Sequence, residues 1–559
     1  MKGVSASIGV AVGPAWVLGR KHRASRVRVT EARVPAELER FASAVCSSRA
    51  EIETAKQELT QQHGPTFAPI LDVYLLMHGD ALLIDAVNQE IRDSQVNAEW
   101  AVEEVATRLK EPLLADSSSY FRERANDIEH VKEHLIRHLT GEQSRAPAPD
   151  GPCVLIARDL TPADAVRLLR PPTVALVTEL GAGASHTAIL ARAFGVPAVV
   201  GVGPLPDDLE DGEPVLVDGF SGEVTIRAPA EEQGAAEERR DRFRAFLRAE
   251  RATSAVTRDG VSISVTANVE LPSEVEAALE NGAEGIGLYR TEFMCLDRDA
   301  PPSEEEQLDL YRRVISAMAP KTVVFRTFDW RGDKRLRTHD LDERAKGWFE
   351  TQVRALLRAS REGSTAIMFP MVATLDMLRD ARDLVARCRA DLSDQSAELA
   401  PLPIGMMVEV PSAALLADRF AEHADFFAVG TNDLAHYTLA FDRHDSRAGA
   451  APLDPAVLRL LERTVSAANG AGIDCSMCGG MASDPVALGL AVGLGYRKVS
   501  VPVSVVPLAR AVIRNLDLAV AADAARDALR CASADAVRQL VIERLGAQLG
   551  SLWKEQGLV

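Results

Sequence analysis

The part of the chain from residue 256 to residue 559 repeats one pattern, in which a short apolar stretch is followed by a polar tip and then by a helical segment. Strands that alternate with helices in this way predict βαβ units and a parallel sheet. Eight such strands are the number that closes a (β/α)8, or TIM, barrel. The predicted strands are SISVTANV (262–269), GIGLYR (285–290), VVFRTFD (323–329), AIMFPMV (366–372), IGMMVEV (404–410), FFAVG (426–430), CSMCG (475–479) and KVSVPV (498–503).

Polar side chains occur at the carboxyl ends of these predicted strands, where TIM barrels carry their active sites. Their recurrence in strand after strand is hard to explain by packing alone. We therefore expect a functional site at this end of the barrel. Its candidate residues are Asn268, Arg290, Arg326, Glu409, Asn432, Asp433 and Cys478, with Lys334 in the loop after the third strand.

The chemistry of these side chains indicates what the site binds. Two arginines and a lysine suit a phosphate and a carboxylate, because a guanidinium group matches either one with paired hydrogen bonds. Glu409 and Asp433 follow neighbouring strands and offer the oxygen ligands that Mg²⁺ prefers. Cys478 is a candidate acid, although a single cysteine is more commonly a small buried apolar residue.

One histidine, His186, lies in the stretch GAGASHTAILARAFGVPAVVG (181–201), between two predicted strands. Ser185 is a plausible N-cap, which places His186 in the first turn of a helix. Free N–H groups and the helix dipole favour an anion at that position. The stretch therefore suits a histidine that carries a phosphoryl group. The alternative is a capped helix with a histidine on its surface.

The residues before the barrel show two different patterns. Residues 1–20 and 145–230 contain short apolar strands, whereas residues 21–144 contain long amphipathic helical segments. We therefore predict an α/β domain, formed by the first two ranges, into which an all-helical domain is inserted. A charged helix at 231–255 has little apolar surface to bury, and it is the predicted linker to the barrel domain at 256–559.

Charge and cysteine content exclude several classes of protein. A net charge of −18 argues against a nucleic-acid surface, so an anionic substrate requires locally placed arginines and lysines. Seven scattered cysteines with one CxxC pair, Cys475 and Cys478, indicate neither a disulfide framework nor a strong zinc motif. Gly9, Gly13 and Pro14 interrupt the uncharged N-terminal stretch, which argues against a signal peptide. No other segment approaches a membrane span, and we expect a cytoplasmic protein.

Several motifs resemble those of Enzyme I of the sugar phosphotransferase system, a phosphoenolpyruvate–protein phosphotransferase family. The stretch around His186 is similar to the phosphohistidine loop of that family, and the resemblance spans nearly the whole chain. Pyruvate phosphate dikinase and phosphoenolpyruvate synthase share these motifs but also need an ATP-binding domain, for which this chain has no room. The barrel motifs are GIGLYRTEFMCLDRDAPPSEEEQ, FRTFDWRGDK, QVRALLRASREGSTAIMFPMV, GMMVEVPSAA, FFAVGTNDLAHYTLAFDR and MCGGMASDP, and the N-terminal ones are IGVAVGPA, NAEWAV and YFRERANDI.

The resemblance implies a reaction and a set of roles. Phosphoenolpyruvate would bind in the barrel with Mg²⁺, or with Mn²⁺ in its place, held by Glu409 and Asp433. His186 would take the phosphoryl group, and Cys478 would protonate the enolate to give pyruvate. His186 would then phosphorylate a histidine of HPr, a small carrier protein docked on the helical domain. A homodimer formed through the barrel is a further family expectation. The substrate would contact Arg290, Arg326, Lys334, Asn432, Asp433 and Arg443.

The chain departs from the family pattern most clearly after Lys334. The family has a stretch of the type ENPxLGxRaiR there, whose arginine contacts the substrate. This chain has the shorter segment RLRTHDLDERAKGWFETQ, with Phe349 where that arginine would fall. The other departures are Trp330 and Arg331 in place of a glycine, Ala184 in place of a threonine, Gly480 in place of a glutamate and Glu129 in place of an arginine, whereas Asp127 is kept.

These departures leave two functional alternatives. The first is an active phosphotransferase in which Arg331, Arg335, Arg337 or Arg344 replaces the missing arginine. The second is a degenerate relative, weakly active or inactive, that binds a carrier protein as a regulatory module. The retained histidine, carboxylate pair and cysteine favour the first alternative, whereas the shortened segment favours the second.

Overall fold

The chain folds into two compact units, Met1–Asp241 and Arg242–Val559. The predicted fold class is confirmed: an α/β domain with a helical insertion precedes a closed barrel. None of the helices in the described ranges combines the length and apolar character that a membrane crossing needs. The computed structural model describes residues 1–18, 25–63, 68–115, 119–141, 149, 151–181, 185–206, 208–270, 272–295, 302–328, 341–393, 399–440 and 451–555.

The first unit contains a seven-stranded sheet with the order β1-β5-β4-β3-β2-β6-β7. Its core consists of the valine-rich inner faces of the strands, for example Val154, Val177 and Val217, which are fully buried. The strands are β1 (Val4–Ser7), β2 (Val10–Leu18), β3 (Cys153–Ala157), β4 (Thr173–Thr178), β5 (Ala198–Val200), β6 (Pro214–Asp218) and β7 (Glu223–Ile226).

Strand β2 joins the two parts of this sheet. Its first half, Val10–Pro14, pairs antiparallel with β6, and its second half, Ala15–Leu18, pairs parallel with β3. Pro14 interrupts the apolar run in the sequence but not the strand. It lies where β2 changes partner, a position at which a residue without an N–H is tolerated. The first residues of the chain therefore belong to the same sheet as residues 153–226.

Between β2 and β3 the described chain is helical, as the amphipathic pattern predicted. Asp80 caps the helix that begins at Ala81 by accepting a hydrogen bond from the Leu82 N–H at 2.9 Å. The exact boundaries of the predicted domains stay a prediction. The helices of this unit are α1 (Val34–His63), α2 (Ala68–His78), α3 (Ala81–Ser94), α4 (Ala98–Ala115), α5 (Ser119–Thr140), α6 (Pro162–Leu168), α7 (His186–Ala193) and α8 (Ala230–Glu250), which extends into the second unit.

The second unit is a closed barrel of parallel strands in the order β10-β11-β12-β13-β14-β15-β8-β9. All eight predicted strands are present, and most begin or end within one or two residues of the predicted bounds. The largest differences are at β10 and β11, which end at Arg326 and Phe369 rather than at residues 329 and 372. The strands are β8 (Ser264–Val269), β9 (Ile286–Arg290), β10 (Val323–Arg326), β11 (Thr365–Phe369), β12 (Ile404–Val408), β13 (Phe426–Val429), β14 (Asp474–Met477) and β15 (Lys498–Pro502).

Helices surround this barrel and follow its strands. The C-terminal helix packs tightly on the barrel unit, since Trp553 is 1% exposed. The helices are α9 (Glu274–Glu280), α10 (Glu304–Met318), α11 (Leu341–Ala359), α12 (Leu375–Ser393), α13 (Pro411–Leu415), α14 (Ala417–Ala421), α15 (Thr431–Leu439), α16 (Pro455–Ala471), α17 (Gly480–Ser483), α18 (Pro485–Leu494), α19 (Val506–Asn515), α20 (Leu518–Ala528) and α21 (Ala534–Glu555).

The buried side chain of Arg510 links helix α19 to the chain segment before the first barrel strand. Arg510 of α19 donates hydrogen bonds to the carbonyls of Arg251 at 2.9 Å and Thr253 at 2.7 Å, and also to the carbonyl of Gly282. Gly282 has φ +82°, and a Cβ at that residue would lie 2.1 Å from the Arg251 carbonyl oxygen. The guanidinium thus satisfies three backbone acceptors at a point where two chain segments touch.

Replacing this arginine is expected to destabilise the barrel unit. Arg510→Met leaves three partly buried carbonyls without their donor, and we expect a loss of about 3 kcal/mol in the free energy of unfolding, since an unsatisfied buried group costs about 1–3 kcal/mol. Urea unfolding followed by circular dichroism measures it. Arg514→Met is the matched control on the same helix, because Arg514 is 43% exposed and pairs only with Glu250 among the described residues. Equal effects of the two variants would contradict this account.

Candidate functional site

The predicted phosphohistidine stretch forms a capped helix in the first unit. The hydroxyl of Ser185 accepts a hydrogen bond from the Ala188 N–H at 3.3 Å, and α7 begins at His186. The backbone at Gly181, which precedes the helix, closely approaches the backbone at Gly201, which follows it. A Cβ on Gly201 (φ +67°) would lie 2.8 Å from the Gly181 carbonyl oxygen. The predicted position of His186 in the first turn is confirmed. Its side chain, and Ala184 before it, lie outside the described part of the structure.

The two candidate arginines at the mouth of the barrel are each held by a carboxylate. Arg290 ends β9 and pairs with Glu270, and Arg326 ends β10 and pairs with Glu292 at 2.5 Å. Arg326 also reaches the sulfur of Met407 at 3.6 Å inside the barrel. The ion pairs hold both guanidinium groups at one end of the barrel, where an anionic ligand can exchange with the carboxylates.

Buried polar atoms without hydrogen-bond partners surround these pairs. Within the described part of the chain, the Nε atoms of Arg290 and Arg326, Oε2 of Glu292 and Oδ1 of Asn268 are buried and unpaired. Unsatisfied buried polar groups are rare in proteins and call for an explanation. The two donors among them, the Nε–H groups of Arg290 and Arg326, are the atoms that a bound anion would satisfy, whereas the two oxygens need a donor or a cation.

Arg326 carries its charge in the interior. Burial alone would lower the pKa of Arg326, but the carboxylates of Glu292 and Glu409 outweigh burial and raise the pKa above its usual value. The guanidinium is therefore positively charged at every accessible pH. A fixed buried positive charge of this kind suits phosphate or carboxylate binding.

Cys478 follows β14 and is buried, with its thiol directed at the Val429 carbonyl at 3.4 Å. Burial, and then the negative charge of Glu409, raise the pKa of the Cys478 thiol to about 12, although Arg326 and Arg290 oppose the shift. The thiol is thus protonated at neutral pH, as a proton donor must be. The thiol also packs in the same cluster as Met407, whose sulfur Arg326 contacts.

Glu409 directly follows β12 and is 2% exposed. Its Oε1 accepts a hydrogen bond from the Met371 N–H at 2.7 Å. A Cβ on Gly430 would lie 3.0 Å from Oε2, so only glycine leaves the space beside that oxygen open. Asp433 lies in the first turn of α15, after the neighbouring strand β13. Two carboxylates on adjacent strands, one of them buried beside an open space, fit a hard divalent cation with oxygen ligands.

Asn432 and Gly480 contact each other at the same end of the barrel. The Gly480 N–H donates to Oδ1 of Asn432 at 2.9 Å, and a Cβ on Gly480 would lie 2.8 Å from that oxygen. The glycine that replaces the family's glutamate therefore allows this orientation of Asn432. The departure changes the surroundings of a candidate substrate contact without removing it.

The first part of the segment that departs most from the family pattern, up to residue 340, lies outside the described residues, as do Lys334 and Arg443. The rest of the segment belongs to α11, where Phe349, at the position of the family's arginine, is half-buried. The side chain of Arg344 is likewise not described, although its backbone belongs to α11. Two other arginines of α11, Arg354 and Arg358, pair with Glu304 of α10 at 3.0 and 2.7 Å. They are engaged in packing α10 against α11 and do not replace the missing arginine. The undescribed candidates are Trp330, Arg331, Arg335 and Arg337.

A buried hydrogen-bond network behind the arginines was not predicted. Gln352 of α11 is fully buried, accepts from the Phe328 N–H, and donates to the hydroxyls of Thr291 and Tyr311, all at 3.0 Å. Thr291 in turn donates to the Arg326 carbonyl at 2.7 Å. One amide thus fixes the backbone just after both arginine-bearing strands.

The helical periodicity of the sequence indicates that Gln352 is buried. It lies on the same face as the buried residues Ala355, Leu356 and Ala359. A polar amide on an apolar stripe must find buried partners, but the sequence does not show which partners those are.

Three family models match the chain. The model described as "PEP-utilising enzyme, N-terminal" matches residues 2–124, and the model described as "PEP-utilising enzyme, mobile domain" matches residues 149–222. The model described as "PEP-utilising enzyme, PEP-binding domain" matches residues 244–518. Together they cover more than half of the chain.

Curated proteins named phosphoenolpyruvate-protein phosphotransferase are similar over nearly the whole chain. Those of Staphylococcus carnosus and Listeria innocua are each 37% identical, with 97% of this chain and 98% of each relative covered. That of Geobacillus stearothermophilus is 38% identical, with 92% and 93% covered. A solution structure of an Enzyme I protein shares 30% identity over 44% of this chain and 99% of its own, with a TM-score of 0.37.

Gln352 is expected to act on substrate binding through the arginines that it positions. Gln352→Leu leaves the Phe328 N–H unsatisfied and frees the strand ends, and losing one well-placed charged hydrogen bond weakens binding by about 1.5–3 kcal/mol. We expect the KM for the anionic substrate to rise by about tenfold or more, measured by steady-state kinetics.

Gln307→Leu is the matched control for this variant. Gln307 is an equally buried amide that accepts from Tyr311 but lies one contact further from the arginines. It should lower stability without changing KM. A KM that is unchanged in Gln352→Leu, or raised equally in both variants, would contradict a positioning role.

Proposed function

The chain belongs to the phosphoenolpyruvate-protein phosphotransferase family, and we propose that it transfers the phosphoryl group of phosphoenolpyruvate to a histidine of a small HPr-like carrier protein. The transfer passes through a phosphohistidine at His186 and releases pyruvate. The observation that carries the proposal is the convergence of four side chains at the carboxyl end of the barrel: Arg290 and Arg326 end two neighbouring strands, and Glu409 and Cys478 directly follow two others. This set matches an anionic substrate whose product needs one proton.

Substrate binding begins with an exchange of partners. The phosphate and carboxylate of phosphoenolpyruvate replace Glu270 and Glu292 as partners of Arg290 and Arg326, and they supply acceptors for the two unpaired Nε atoms. Charge-assisted, bidentate contacts of this kind are stronger than neutral hydrogen bonds and fix orientation. Asn432, Lys334 and Arg443 complete the proposed substrate contacts.

Glu409 and Asp433 are the residues that would hold Mg²⁺, or Mn²⁺ in its place. A divalent cation there supplies charge neutralisation for the phosphate and the developing enolate. Glu409 is already anchored by the Met371 N–H, so its orientation is fixed before substrate binds. Its burial beside Arg326 also explains why both charges persist in the interior.

The chemical step is an in-line displacement at phosphorus. A ring nitrogen of His186 forms the new bond to phosphorus as the bond from phosphorus to the enol oxygen breaks. The resulting enolate takes a proton at carbon from the thiol of Cys478, which gives pyruvate, and solvent returns the proton to the thiolate. Catalysis of this kind is mainly positioning and charge neutralisation. The high pKa of Cys478 keeps the proton in place until the strongly basic enolate forms.

The helical insertion is the proposed docking site of the carrier protein. Asp127 accepts a hydrogen bond from the Tyr74 hydroxyl at 3.2 Å, and Glu129 pairs with Lys110 and Lys132. The glutamate that replaces an arginine of the family is therefore neutralised by two lysines. Cytoplasmic location and a homodimer through the barrel are also proposed on family grounds.

The shortened segment after Lys334 supports a second candidate function, that of a weakly active regulatory relative. Phosphate transfer distinguishes the two, because a docking module needs the carrier surface but not the barrel chemistry. A folded chain that binds a carrier but forms neither phosphoprotein nor pyruvate would favour the regulatory function.

His186→Ala is expected to abolish labelling of the protein by ³²P-phosphoenolpyruvate with Mg²⁺, because no other residue would hold the phosphoryl group. The fold should be unchanged, since a substitution at the first residue of a helix that leaves its N-cap Ser185 in place usually has little effect on stability. His423→Ala, at a histidine in the barrel unit, is the control and should label normally. Undiminished labelling of the His186→Ala variant would overturn the assignment.

The reaction has two halves, phosphorylation of the chain by phosphoenolpyruvate and phosphoryl transfer between the chain and HPr. Glu409→Gln and Asp433→Asn are expected to affect only the first half. Each variant should lose labelling from phosphoenolpyruvate, because charge neutralisation in the barrel is lost. Each should still accept phosphate in reverse from phosphorylated HPr, because that step uses only the first unit. Gel autoradiography of both reactions measures this, and EDTA should reproduce the first loss in the unsubstituted protein. Equal loss of both half-reactions in folded variants would contradict the proposed division of labour.

A further inference from the structure

The helical insertion contains a cluster of histidines that the proposed reaction does not use. Helix α5 carries His130, His134 and His138, spaced four residues apart and therefore on one face. Helix α1 contributes Glu51 and α2 contributes His78 to the same place. All five side chains lie in the described part of the first unit.

Three of these side chains have the geometry of ligands to one ion. Nε2 of His134 lies 3.3 Å and Nε2 of His138 lies 3.0 Å from Oε2 of Glu51. The three atoms all lie within 4.8 Å of one another. Ligands of a tetrahedral zinc ion are separated by about 3.3 Å when the metal–ligand distance is about 2.0 Å. The two separations from Glu51 are thus close to those of a formed metal site.

Hydrogen bonds behind the ligands fix which nitrogen of His134 is available. Nδ1 of His78 lies 2.7 Å from the Tyr74 carbonyl, which can only accept, so this nitrogen carries the hydrogen. With its hydrogen on Nδ1, the neutral ring of His78 offers Nε2 as an acceptor. Nδ1 of His134 lies 3.0 Å from this nitrogen and 3.1 Å from the Ser48 hydroxyl, so a hydrogen on Nδ1 of His134 has an acceptor to bond.

A donor at Nδ1 leaves Nε2 of neutral His134 with a lone pair that faces the Glu51 carboxylate. Two acceptors at 3.3 Å repel each other unless a cation lies between them. Metal-bound histidines characteristically donate their other ring N–H to a nearby acceptor, which orients the ring. The relay from His134 through His78 to Tyr74 has this arrangement.

We infer that Glu51, His134 and His138 bind a divalent cation of the zinc class, with a water molecule as the fourth ligand. Imidazole nitrogens favour Zn²⁺, Co²⁺ and Ni²⁺ over Mg²⁺, which prefers oxygen ligands. Two histidines and one glutamate form a ligand set found in zinc proteins. The side chains of Glu51 and His138 are 24% and 20% exposed, which leaves room for entry of the ion and for the water.

Two arginines compete with the ion for the carboxylate. Arg137 lies 3.0 Å from Oε2 of Glu51, and Arg167 pairs with Oε1. Arg137 also lies 3.8 Å from Asp164, so it has a second carboxylate to pair with when an ion is bound.

Zinc binding to the full-length chain in millimolar Mg²⁺ tests the inference, because Mg²⁺ occupies oxygen-ligand sites in the barrel. Competition with a chromophoric zinc chelator gives the affinity. The absorption spectrum of the Co²⁺-loaded protein should show tetrahedral coordination without a thiolate band, which excludes Cys475 and Cys478 as the ligands.

Four variants sharpen the test. His138→Gln and Glu51→Gln each remove a proposed metal ligand. Loss of a hydrogen-bond partner behind a ligand weakens metal binding by about 10- to 100-fold, and these two variants should weaken zinc binding by more than that. His130→Gln, a change on the same helix at a histidine that binds Tyr74 and Asp159 instead, should leave the affinity unchanged. Arg137→Gln should tighten binding, because it removes a competing cation. A purely structural ion-pair cluster does not produce this last result.

The wild-type measurement decides the matter even where a variant fails to fold. One equivalent of zinc with a thiolate-free tetrahedral Co²⁺ spectrum, lost in folded His138→Gln, supports the inference. Absence of zinc binding in the wild-type chain overturns it, as does binding that survives in both folded ligand variants. Because none of these measurements depends on phosphoryl transfer, they leave the proposed function independently testable.

Discussion

A positive charge buried at the mouth of the barrel is the constraint on which the site depends. Arg326 pairs with Glu292 at the end of β10, and the carboxylates of Glu292 and Glu409 together keep its guanidinium charged in the interior. The same interaction links substrate binding, cation binding and the proton donor, because Glu409 also raises the pKa of Cys478. One set of charges therefore determines where an anion binds and which thiol keeps its proton.

Residues around the site hold these charged groups in position. Gln352 fixes the backbone after β9 and β10 through bonds to Thr291 and Phe328, and Gly430 leaves the space beside Glu409 open. The carboxylates of Glu270 and Glu292 satisfy the arginines until a ligand replaces them. The barrel is thus organised for an anion, and in the first unit the capped helix α7 presents His186 in its first turn.

Periodicity made much of the fold predictable. The alternation of apolar strands and helices predicted all eight barrel strands. The polar residues at the ends of these strands identified Arg290, Arg326, Glu409 and Cys478 as candidate site residues. The sequence could not reveal that Glu270 and Glu292 hold the arginines, because ion pairs between loops depend on side-chain directions. Gln352 and the cluster around His134 were missed because their hydrogen-bond partners lie on elements that are far apart in the sequence.

The central claim is that phosphoenolpyruvate is the phosphoryl donor and His186 the first acceptor. Its most direct test is the pyruvate released when the purified chain, with Mg²⁺ but no carrier protein, receives excess phosphoenolpyruvate. The account predicts a burst of pyruvate equimolar with the chain and a base-stable, acid-labile phosphoryl group that mass spectrometry at alkaline pH locates on His186. A folded chain that releases no pyruvate, or that carries the phosphoryl group on another residue, would contradict it.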